Sequence, residues 1–458
     1  MAPMAQLVSL LGARVSGSDR NWDRGLTLPV FDALTEAGVE LKPQDGAGVE
    51  PGLDALVYST AVEGTNPEMQ RAEALGIARI RRGSFLAQLA RERRSIAIAG
   101  TSGKSTVTAM VAHILVEAGL EPSFLGGGAA VELAGAVPPG GLRAGSSEWF
   151  VVETDESDGS VAEFAPAIAV LTNLTRDHKE VEVINGYFAR LLEQTRERAV
   201  IHVGDQALAA VPRPDRLALL AVAVEGETTW TRPEFVARSI RRTPRDVRFE
   251  LAGAPVTVPF PGMLTVQNAA LAVVAAHAAG VPLDEAGRAL ARFAGVKRRL
   301  ERIGAAERID VFDDFAHNPV KIGMAVEALR PKGALWIYYQ PHGYGPTRFF
   351  KDDLIATFRS ALTPRDRLLL APIYDAGGTA DRSIRSEDIA EPLTRAGLHA
   401  RVIASRAEAA AEIATGARAG DRIVVMGARD DTLPSFARSV LAAIAARSGE
   451  PAATRAQR

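Results

Sequence analysis

The fold of this chain is decided by the stretch IAIAGTSGKST, which runs from Ile96 to Thr106. An apolar run over 95–99 predicts a buried strand, and the glycines after it permit a tight turn into a helix predicted over 104–117. Backbone amides of such a turn point at an anion, and the positive end of the helix adds to the attraction. The stretch therefore predicts a phosphate-binding loop in a parallel α/β sheet, although the general form of that loop has a glycine where this one has Ile98.

Two side chains of the loop carry the chemistry expected of a nucleotide site. Lys104 supplies a positive charge for terminal phosphates, and the hydroxyl of Ser105 is placed to ligate Mg²⁺. The alternative is a glycine-rich turn that only presents an exposed lysine. Because a buried strand precedes the loop and a helix follows it, we expect ATP and Mg²⁺ to bind here. The residues expected to form the site are Gly100, Thr101, Ser102, Gly103, Lys104, Ser105 and Thr106.

The composition is that of a globular protein without a marked charge preference. The chain has 458 residues, 47% of them hydrophobic, and a formal net charge of −2, so no overall field favours nucleic acid or an anionic membrane. It contains no cysteine, which excludes disulfides, thiolate metal sites and cysteine nucleophiles. No run approaches about 18 apolar residues, the length that spans a membrane, so we expect no membrane insertion and a cytoplasmic location.

The length and the pattern of strands predict several α/β domains. At about 150 residues per domain the chain has room for three, which we place at 1–93, 94–304 and 305–458. Buried-strand patterns alternate with helical ones in the central and C-terminal parts, which predicts parallel sheets covered on both faces. Ligands bind such sheets beyond the carboxyl ends of the strands, so polar strand ends are the candidates for function.

Two polar strand ends in the central part are candidate pieces of a metal site. Glu153 ends the strand pattern FVVE, and a carboxylate there is a ligand that Mg²⁺ prefers. The alternative is a solvated acidic turn, which suits Asp155, Glu156 and Asp158 as well as function does. His178 follows the next buried strand, but a lone histidine is more often structural than catalytic.

A third candidate cluster is FDDFAHNP, at 312–319, which we expect at the end of the first strand of the last domain. A carboxylate there can accept ribose hydroxyls, an aromatic ring can stack on a base, and a histidine can contact phosphate. The arginines at 298–299 can close on a γ-phosphate. The alternatives are a strand-end turn closed by proline and a solvated linker.

Six motifs follow one another along the chain: GTSGKST, VVETDESD, TNLTRDH, GVKRRLE, DDFAHNP and QPHGYGPTR. In order and spacing they resemble the motifs of the Mur ligase family, ATP-dependent enzymes that form amide bonds in peptidoglycan synthesis and recycling. The phosphate loop of that family has the form GTxGKS or GTxGKT, so Ile98 is expected. The resemblance implies an N-terminal UDP-sugar-binding domain, a central ATP-binding P-loop domain and a mobile, Rossmann-like C-terminal ligase domain.

The resemblance also implies roles for individual residues. Catalytic roles fall to Lys104, Glu153 and His178. The ligands implied for Mg²⁺ are Ser105, Glu153 and His178. Further contacts with ATP are implied for Asn268, for Asp314 at the ribose, and for Arg299 and His317 at the phosphates. Substrate contacts are implied for Ser18, Asp19, Ser59, Thr60, Ala61, His342 and Arg348.

The implied reaction joins the carboxylate of UDP-N-acetylmuramate to L-alanine through an acyl phosphate, and we expect a monomer or weak homodimer. A second interpretation is the recycling branch, which attaches the tripeptide L-alanyl-γ-D-glutamyl-meso-diaminopimelate to the same nucleotide sugar. It stays open because Gly343 and Pro346 replace two arginines of the alanine-adding pattern. A P-loop ATPase or kinase without ligation would leave DDFAHNP unexplained, and the intact Lys104, Glu153 and His178 argue against a degenerate binding module.

Two segments depart from the family pattern. Members usually begin with a strand and a turn resembling GIGGxGM, whereas this chain begins at the methionine of that pattern. We therefore expect the N-terminal domain to lack its first strand and glycine loop. Either the true start lies upstream of Met1, which we favour, or binding of the UDP-sugar is impaired. The family segment GRHNxxNA reads GMLTVQNA here, at 262–269, and of its polar residues only Asn268 remains.

Overall fold

The computed structural model describes residues 1–60, 62–133, 135–137, 140–176, 179–375, 381–447 and 453–454. Its α-helices are α1 Ala2–Leu10, α2 Arg20–Asp23, α3 Pro29–Glu36, α4 Pro67–Ala74, α5 Arg82–Arg91, α6 Lys104–Glu117, α7 Val181–Gln194, α8 Met263–Ala278, α9 Leu283–Ala289, α10 Pro319–Leu329, α11 Tyr344–Ala361, α12 Glu387–Arg395, α13 Arg406–Gly416 and α14 Leu433–Ala446. Its strands are β1 Ser16–Gly17, β2 Glu40–Leu41, β3 Ala55–Tyr58, β4 Ala78–Arg81, β5 Arg94–Ala99, β6 Ser123–Leu125, β7 Leu142–Arg143, β8 Trp149–Glu153, β9 Ile168–Leu171, β10 Arg198–His202, β11 Ala218–Val224, β12 Phe235–Arg242, β13 Val247–Leu251, β14 Ala254–Val258, β15 Glu301–Ala306, β16 Ile309–Asp314, β17 Leu335–Tyr339, β18 Arg367–Leu370, β19 His399–Val402, β20 Arg422–Met426 and β21 Ala453–Thr454.

Contacts divide the chain into two compact units. The first unit comprises 1–240, 248–259 and 266–294, and the second comprises 241–247, 260–265 and 295–458. The mixed α/β architecture predicted from the sequence is confirmed in both. The boundaries proposed for three domains stay predictions.

The first unit is built on a ten-stranded sheet in the order β14-β13-β12-β11-β10-β9-β5-β8-β6-β7. β5 lies inside the sheet and pairs in parallel with β8 on one side and β9 on the other. Ile96, Ala97, Ile98 and Ala99 are fully buried, as expected of a continuous apolar strand covered on both faces. The predicted strand over 95–99 and the predicted helix over 104–117 are confirmed, so the phosphate loop leaves the carboxyl end of an interior strand.

The amino-terminal helix α1 belongs to the core of the first unit. Met4 and Leu7 are buried in one cluster with Leu86 of α5, Leu125 of β6 and Leu142 of β7. The first four strands of the chain form two small parallel sheets, β1 with β2 and β3 with β4. Helix α1 begins at Ala2 with a proline in its first turn, and it ends at Leu10, close to the positive φ of Gly12.

The second unit is built on a seven-stranded sheet in the order β19-β18-β17-β20-β16-β15-β21. Its central strands are buried on both faces. In β17, for example, Leu335, Ile337 and Tyr339 pack into one core cluster while Trp336 and Tyr338 pack into another. This alternation follows from the two-residue period of a strand and places one layer of helices on each face.

One strand of the second unit was not predicted. The cluster at 312–319 lies at the end of β16, but β15 comes before β16 in the chain and pairs antiparallel with it. The segment that forms β15, ERIGAA, has no regular apolar alternation, and the sequence therefore gave no strand signal there. Among the described helices of the chain, none is both long and apolar enough to span a membrane.

Candidate active site

The two glycines of the phosphate loop are required by its geometry. Gly100 has a φ of 139°, and a Cβ added to it would lie 1.9 Å from the hydroxyl oxygen of Thr172. Gly103 has a φ of 84°, and its added Cβ would lie 2.5 Å from Oδ1 of Asn268. Any other residue would be strained and would collide at both places. The close approach also sets Asn268, at the start of α8, directly beside the loop.

The loop is braced by the segment that follows β9. Oδ1 of Asn173 accepts hydrogen bonds from the hydroxyl of Thr101 and the amide of Ser102, both at 2.8 Å. Nδ2 of Asn173 donates to the carbonyl of Ser102 at 3.0 Å, and the hydroxyl of Thr172 donates to the same carbonyl at 2.7 Å. The backbone of the loop is thereby fixed before any phosphate binds. This function of the segment TNLT, at 172–175, was not predicted, although polar residues directly after a buried strand were a signal for it.

Lys104 is held inside the site by an acidic partner. Its Nζ donates to Oε1 and Oε2 of Glu156 at 2.8 and 2.7 Å, and to the carbonyl of Gly100 at 2.6 Å. The lysine side chain is 15% exposed and the glutamate side chain 5%. An ion pair with so little solvent is screened much less than one at the surface. From the sequence, Glu156 could equally have been a functional residue or part of a solvated acidic turn. The structure places it in this site.

Ser105 and Glu153 face each other at the end of β8. The hydroxyl of Ser105 donates to Oε1 of Glu153 at 3.0 Å, and Oε2 of Glu153 accepts from the amide of Gly127 at 2.6 Å. A Cβ at Gly127 would lie 2.7 Å from Oε1 of Glu153, so the glycine keeps open the space around this carboxylate. A hydroxyl and a carboxylate are hard oxygen donors, which fits the ligand preference of Mg²⁺.

The described residues do not complete a metal site by themselves. Within them, no group of three or more histidine, aspartate or glutamate side chains is arranged to hold a metal ion. His178, the third ligand implied by the family resemblance, lies outside the described residues. Asp155, next to this cluster, faces Arg82 at 3.6 Å. Burial acts to raise the pKa of Asp155, but hydrogen bonds from Ser157 and the charges of Lys104 and Arg82 outweigh it and hold that pKa below its usual value.

A second group of predicted residues gathers at the carboxyl ends of β16 and β17 in the second unit. The rings of His317 and His342 lie 4.6 Å apart, and the ring of Phe315 lies 5.5 Å from that of His317. The guanidinium of Arg299 lies 4.8 Å from the centre of the Phe315 ring, a distance that favours a cation–π contact. The structure therefore brings two residues predicted to contact ATP, Arg299 and His317, against the ring of Phe315, and it places His342 against His317.

Asp314 binds backbone amides on both sides of its strand end. Its Oδ2 accepts from the amide of Leu300 at 2.6 Å and its Oδ1 from the amide of Ala316 at 2.7 Å. Burial raises the pKa of Asp314, and these hydrogen bonds oppose that rise. In this state the carboxylate ties the segment before β15 to the end of β16, while its role at a ribose stays a prediction.

The neighbouring Asp313 is fully buried against an arginine. Nε of Arg298 lies 3.4 Å from Oδ2 of Asp313, and the guanidinium of Arg298 also donates to the carbonyl of Gly427 at 2.5 Å. Loss of hydration raises the pKa of Asp313 to about 7, although the charge of Arg298 acts against the rise. Arg298 is thus neither a solvated linker residue nor a residue that points away from the domain.

The residues implied for substrate binding fall into two places. In the first unit, the hydroxyl of Ser18 donates to Oε2 of Glu68 at 2.6 Å, which joins the segment after β1 to the first turn of α4. Asp19 accepts from the amide of Asn21 at 2.8 Å and so caps α2. Ser59 and Thr60 directly follow β3, and Ala61 lies outside the described residues. Glu68 was not anticipated from the sequence.

Arg348 contacts the segment that precedes α12. Its guanidinium pairs with Oδ2 of Asp381 at 2.9 Å and donates to the hydroxyl of Ser383 at 3.2 Å. A substrate group that contacts Arg348, the role implied for this residue by the family resemblance, would therefore compete with Asp381 for the same guanidinium.

Comparisons with known proteins give the same family over most of the length of the chain. Residues 1–94 match the description "Mur ligase family, catalytic domain", residues 98–276 "Mur ligase middle domain", and residues 298–429 "Mur ligase, glutamate ligase domain". The UDP-N-acetylmuramate–L-alanine ligase of Phenylobacterium zucineum is 32% identical over 95% of this chain and 92% of its own. That of Acidithiobacillus ferrooxidans is 33% identical over 93% of this chain and 92% of its own.

Solved structures share the fold. The UDP-N-acetylmuramate-alanine ligase of Thermotoga maritima superimposes with a TM-score of 0.74 at 21% identity and covers 98% of this chain and 97% of that one. A murein peptide ligase from Psychrobacter arcticus superimposes with a TM-score of 0.68 at 24% identity and covers 97% and 96%.

Proposed function

Since the chain belongs to the Mur ligase family, we propose that it is an ATP-dependent ligase that joins the carboxylate of UDP-N-acetylmuramate to the amino group of L-alanine, with release of ADP and phosphate. Relatives that carry this activity in their names match nearly the whole chain. The activity serves the synthesis of peptidoglycan precursors. The predicted division into domains at 1–93, 94–304 and 305–458 is part of the proposal.

The observation that carries the proposal is the arrangement at the end of β8. Lys104 and Ser105 leave the phosphate loop side by side, and each meets a carboxylate of the segment ETDE, Glu156 and Glu153 respectively. A site that combines a braced loop of amides, a lysine and oxygen ligands for a divalent cation is suited to phosphoryl transfer from ATP.

The reaction needs this machinery because a carboxylate is a poor electrophile. A carboxylate oxygen of the sugar attacks the γ-phosphorus of ATP, the bond to the β-phosphate oxygen breaks, and ADP leaves with the electron pair. The amino group of alanine then attacks the carbonyl carbon of the acyl phosphate, loses its proton, and expels phosphate as the amide forms. Lys104 offsets the negative charge that spreads over the transferring phosphoryl group.

Ser105 and Glu153 would hold Mg²⁺, with His178 as a further ligand implied by the family resemblance. When bound, Mg²⁺ neutralises charge on the phosphate oxygens and orients them. Asn268 beside the loop supports contact with ATP in the first unit. Arg299, Asp314 and His317 are proposed for its phosphates and ribose in the second. Substrate contacts are proposed for Ser18, Asp19, Ser59, Thr60, Ala61, His342 and Arg348.

A coupled assay tests the proposed function. Purified protein is incubated with ATP, Mg²⁺, UDP-N-acetylmuramate and either L-alanine or the tripeptide, and both phosphate release and product mass are measured. We expect phosphate release that requires the nucleotide sugar and L-alanine together, with the mass of the amide product. Phosphate release without the nucleotide sugar would contradict ligation, and product with the tripeptide alone would assign the recycling reaction instead.

A further inference from the structure

The lysine that the proposed function assigns to phosphates already has an anionic partner. Both carboxylate oxygens of Glu156 lie within 2.8 Å of Nζ of Lys104, and the pair is largely shielded from solvent. Among the residues that the structure describes, no other side chain donates a hydrogen bond to this carboxylate. Asp155, the neighbouring acid, faces Arg82 instead. Glu156 is therefore the direct counterion of Lys104.

A phosphate chain that binds this loop must compete with Glu156. An ammonium group has three donors, and here they are spent on the Glu156 carboxylate and on the carbonyl of Gly100. If phosphate takes Lys104 away, a buried carboxylate loses its cation and lies beside further negative charge, which is unfavourable on both counts. A divalent cation that arrives with the phosphates removes that penalty.

We propose that Glu156 is a positioning residue that makes the loop select nucleotide carrying a divalent cation over free nucleotide. In the empty site it keeps the Lys104 side chain folded back onto Gly100. During binding it opposes any polyphosphate whose charge is not already partly neutralised. The inference rests on the proposed function, in that it takes the loop at Lys104 as the ATP site.

The test compares the affinity of the full-length protein for ATP with Mg²⁺ and for ATP with an excess of chelator, by calorimetric titration. Wild-type protein is expected to bind the Mg²⁺ form at least about tenfold more tightly, the scale on which a neighbouring charge shifts an ionic equilibrium. In Glu156→Gln the carboxamide keeps the shape and removes the charge. This variant is expected to bind free ATP about tenfold more tightly than wild type does, with a much smaller change for the Mg²⁺ form.

Two further variants separate selection from a merely structural effect. Glu156→Asp keeps the charge and is expected to keep the preference for the Mg²⁺ form. Glu163 follows Glu156 closely in the chain, and its exposed carboxylate accepts a hydrogen bond from the hydroxyl of Ser84. The control variant Glu163→Gln removes this charge and is expected to leave both affinities unchanged. Thermal unfolding of each variant verifies that it is folded.

Each outcome has a defined meaning. Equal changes of both affinities in Glu156→Gln would reduce Glu156 to a structural residue and overturn the inference. So would a wild-type protein that binds both forms of ATP equally well, a result that needs no variant to fold. A wild-type protein that binds neither form would contradict the proposed function itself, and the two failures are therefore distinguishable.

Discussion

The side chain of Asn173 exchanges two hydrogen bonds with the backbone of Ser102, at 2.8 Å from the amide and 3.0 Å to the carbonyl. Asn173→Ala would leave both backbone groups of the loop without these partners inside the protein. We expect the free energy of unfolding to fall by about 1–3 kcal/mol and the affinity for ATP to fall with it. Denaturant unfolding and ATP titration measure the two effects, and Asn173→Asp, which keeps the acceptor alone, is expected to lie between. An alanine variant with normal stability and affinity would contradict the bracing role.

Replacement of Lys104 by methionine should abolish most of the turnover. The variant loses the positive charge that offsets the negative charge of the transferring phosphoryl group, and we expect a fall of roughly a hundredfold or more in kcat. Lys351→Met is the matched control, because that lysine lies on α11 with its side chain 42% exposed and with its Nζ 3.7 Å from Oδ1 of the neighbouring Asp352. Near-normal turnover in Lys104→Met would exclude this loop as the phosphate site.

The same replacement should also reveal the ion pair by its effect on stability. Lys104→Met leaves Glu156 buried without its cation, which typically costs about 3–5 kcal/mol. The double variant Lys104→Met with Glu156→Gln removes the unpaired charge and should be more stable than the single one. Thermal unfolding of both checks this. A double variant less stable than the single variant would refute the pairing.

Gly103→Ala should weaken nucleotide binding in addition to the stability that it loses through backbone strain. A left-handed conformation costs a residue with a Cβ about 1–2 kcal/mol, and at Gly103 the Cβ would also collide with Asn268. Gly119→Ala, at the other end of α6, meets the same backbone penalty with a φ of 72° but finds nothing within 4 Å. We expect both variants to lose some stability and only Gly103→Ala to lose ATP affinity. Equal affinities in the two variants would argue against a close-packed loop.

The buried Asp313 should make the stability of the second unit depend on pH. Burial raises the pKa of Asp313 from 3.8 to about 7, so the native state keeps a proton that the unfolded state releases. Between about pH 4 and pH 7 the unfolded chain binds fewer protons, and the free energy of unfolding should decline as pH rises, by a few kcal/mol at most. Asp313→Asn should flatten this decline in calorimetric scans. The same slope in the variant would assign the effect to other groups.

Local signals in the sequence were enough for the central strand, the loop and the helix that follows. Ile96 to Ala99 are apolar without interruption, and Gly100 and Gly103 mark the turn, so this unit needed no information from elsewhere in the chain. The family resemblance then supplied the reaction. By contrast, Glu156 and Lys104 pair across 52 positions of the chain, and the other acidic residues of ETDESD have the same carboxylate group. The sequence alone therefore could not single out Glu156 as the partner.

Other features depended on contacts that no local pattern reports. Asn173 reaches the loop only because β9 pairs with β5, and β15 exists because β16 offers it an edge. Asp314 was assigned to a ribose by resemblance, yet its carboxylate holds the amide of Leu300 in this state. Tertiary packing therefore decides which of several chemically equivalent polar side chains reaches a given partner.

The burial of Met4 and Leu7 has a practical consequence for anyone who alters the start of this chain. Helix α1 shares its core with β6 and β7, so residues 2–10 are an integral part of the first unit. A deletion or an apolar-to-polar change there would destabilise the sheet that carries the phosphate loop. Loss of activity after such a change would therefore report on the ATPase scaffold as much as on recognition of the sugar nucleotide.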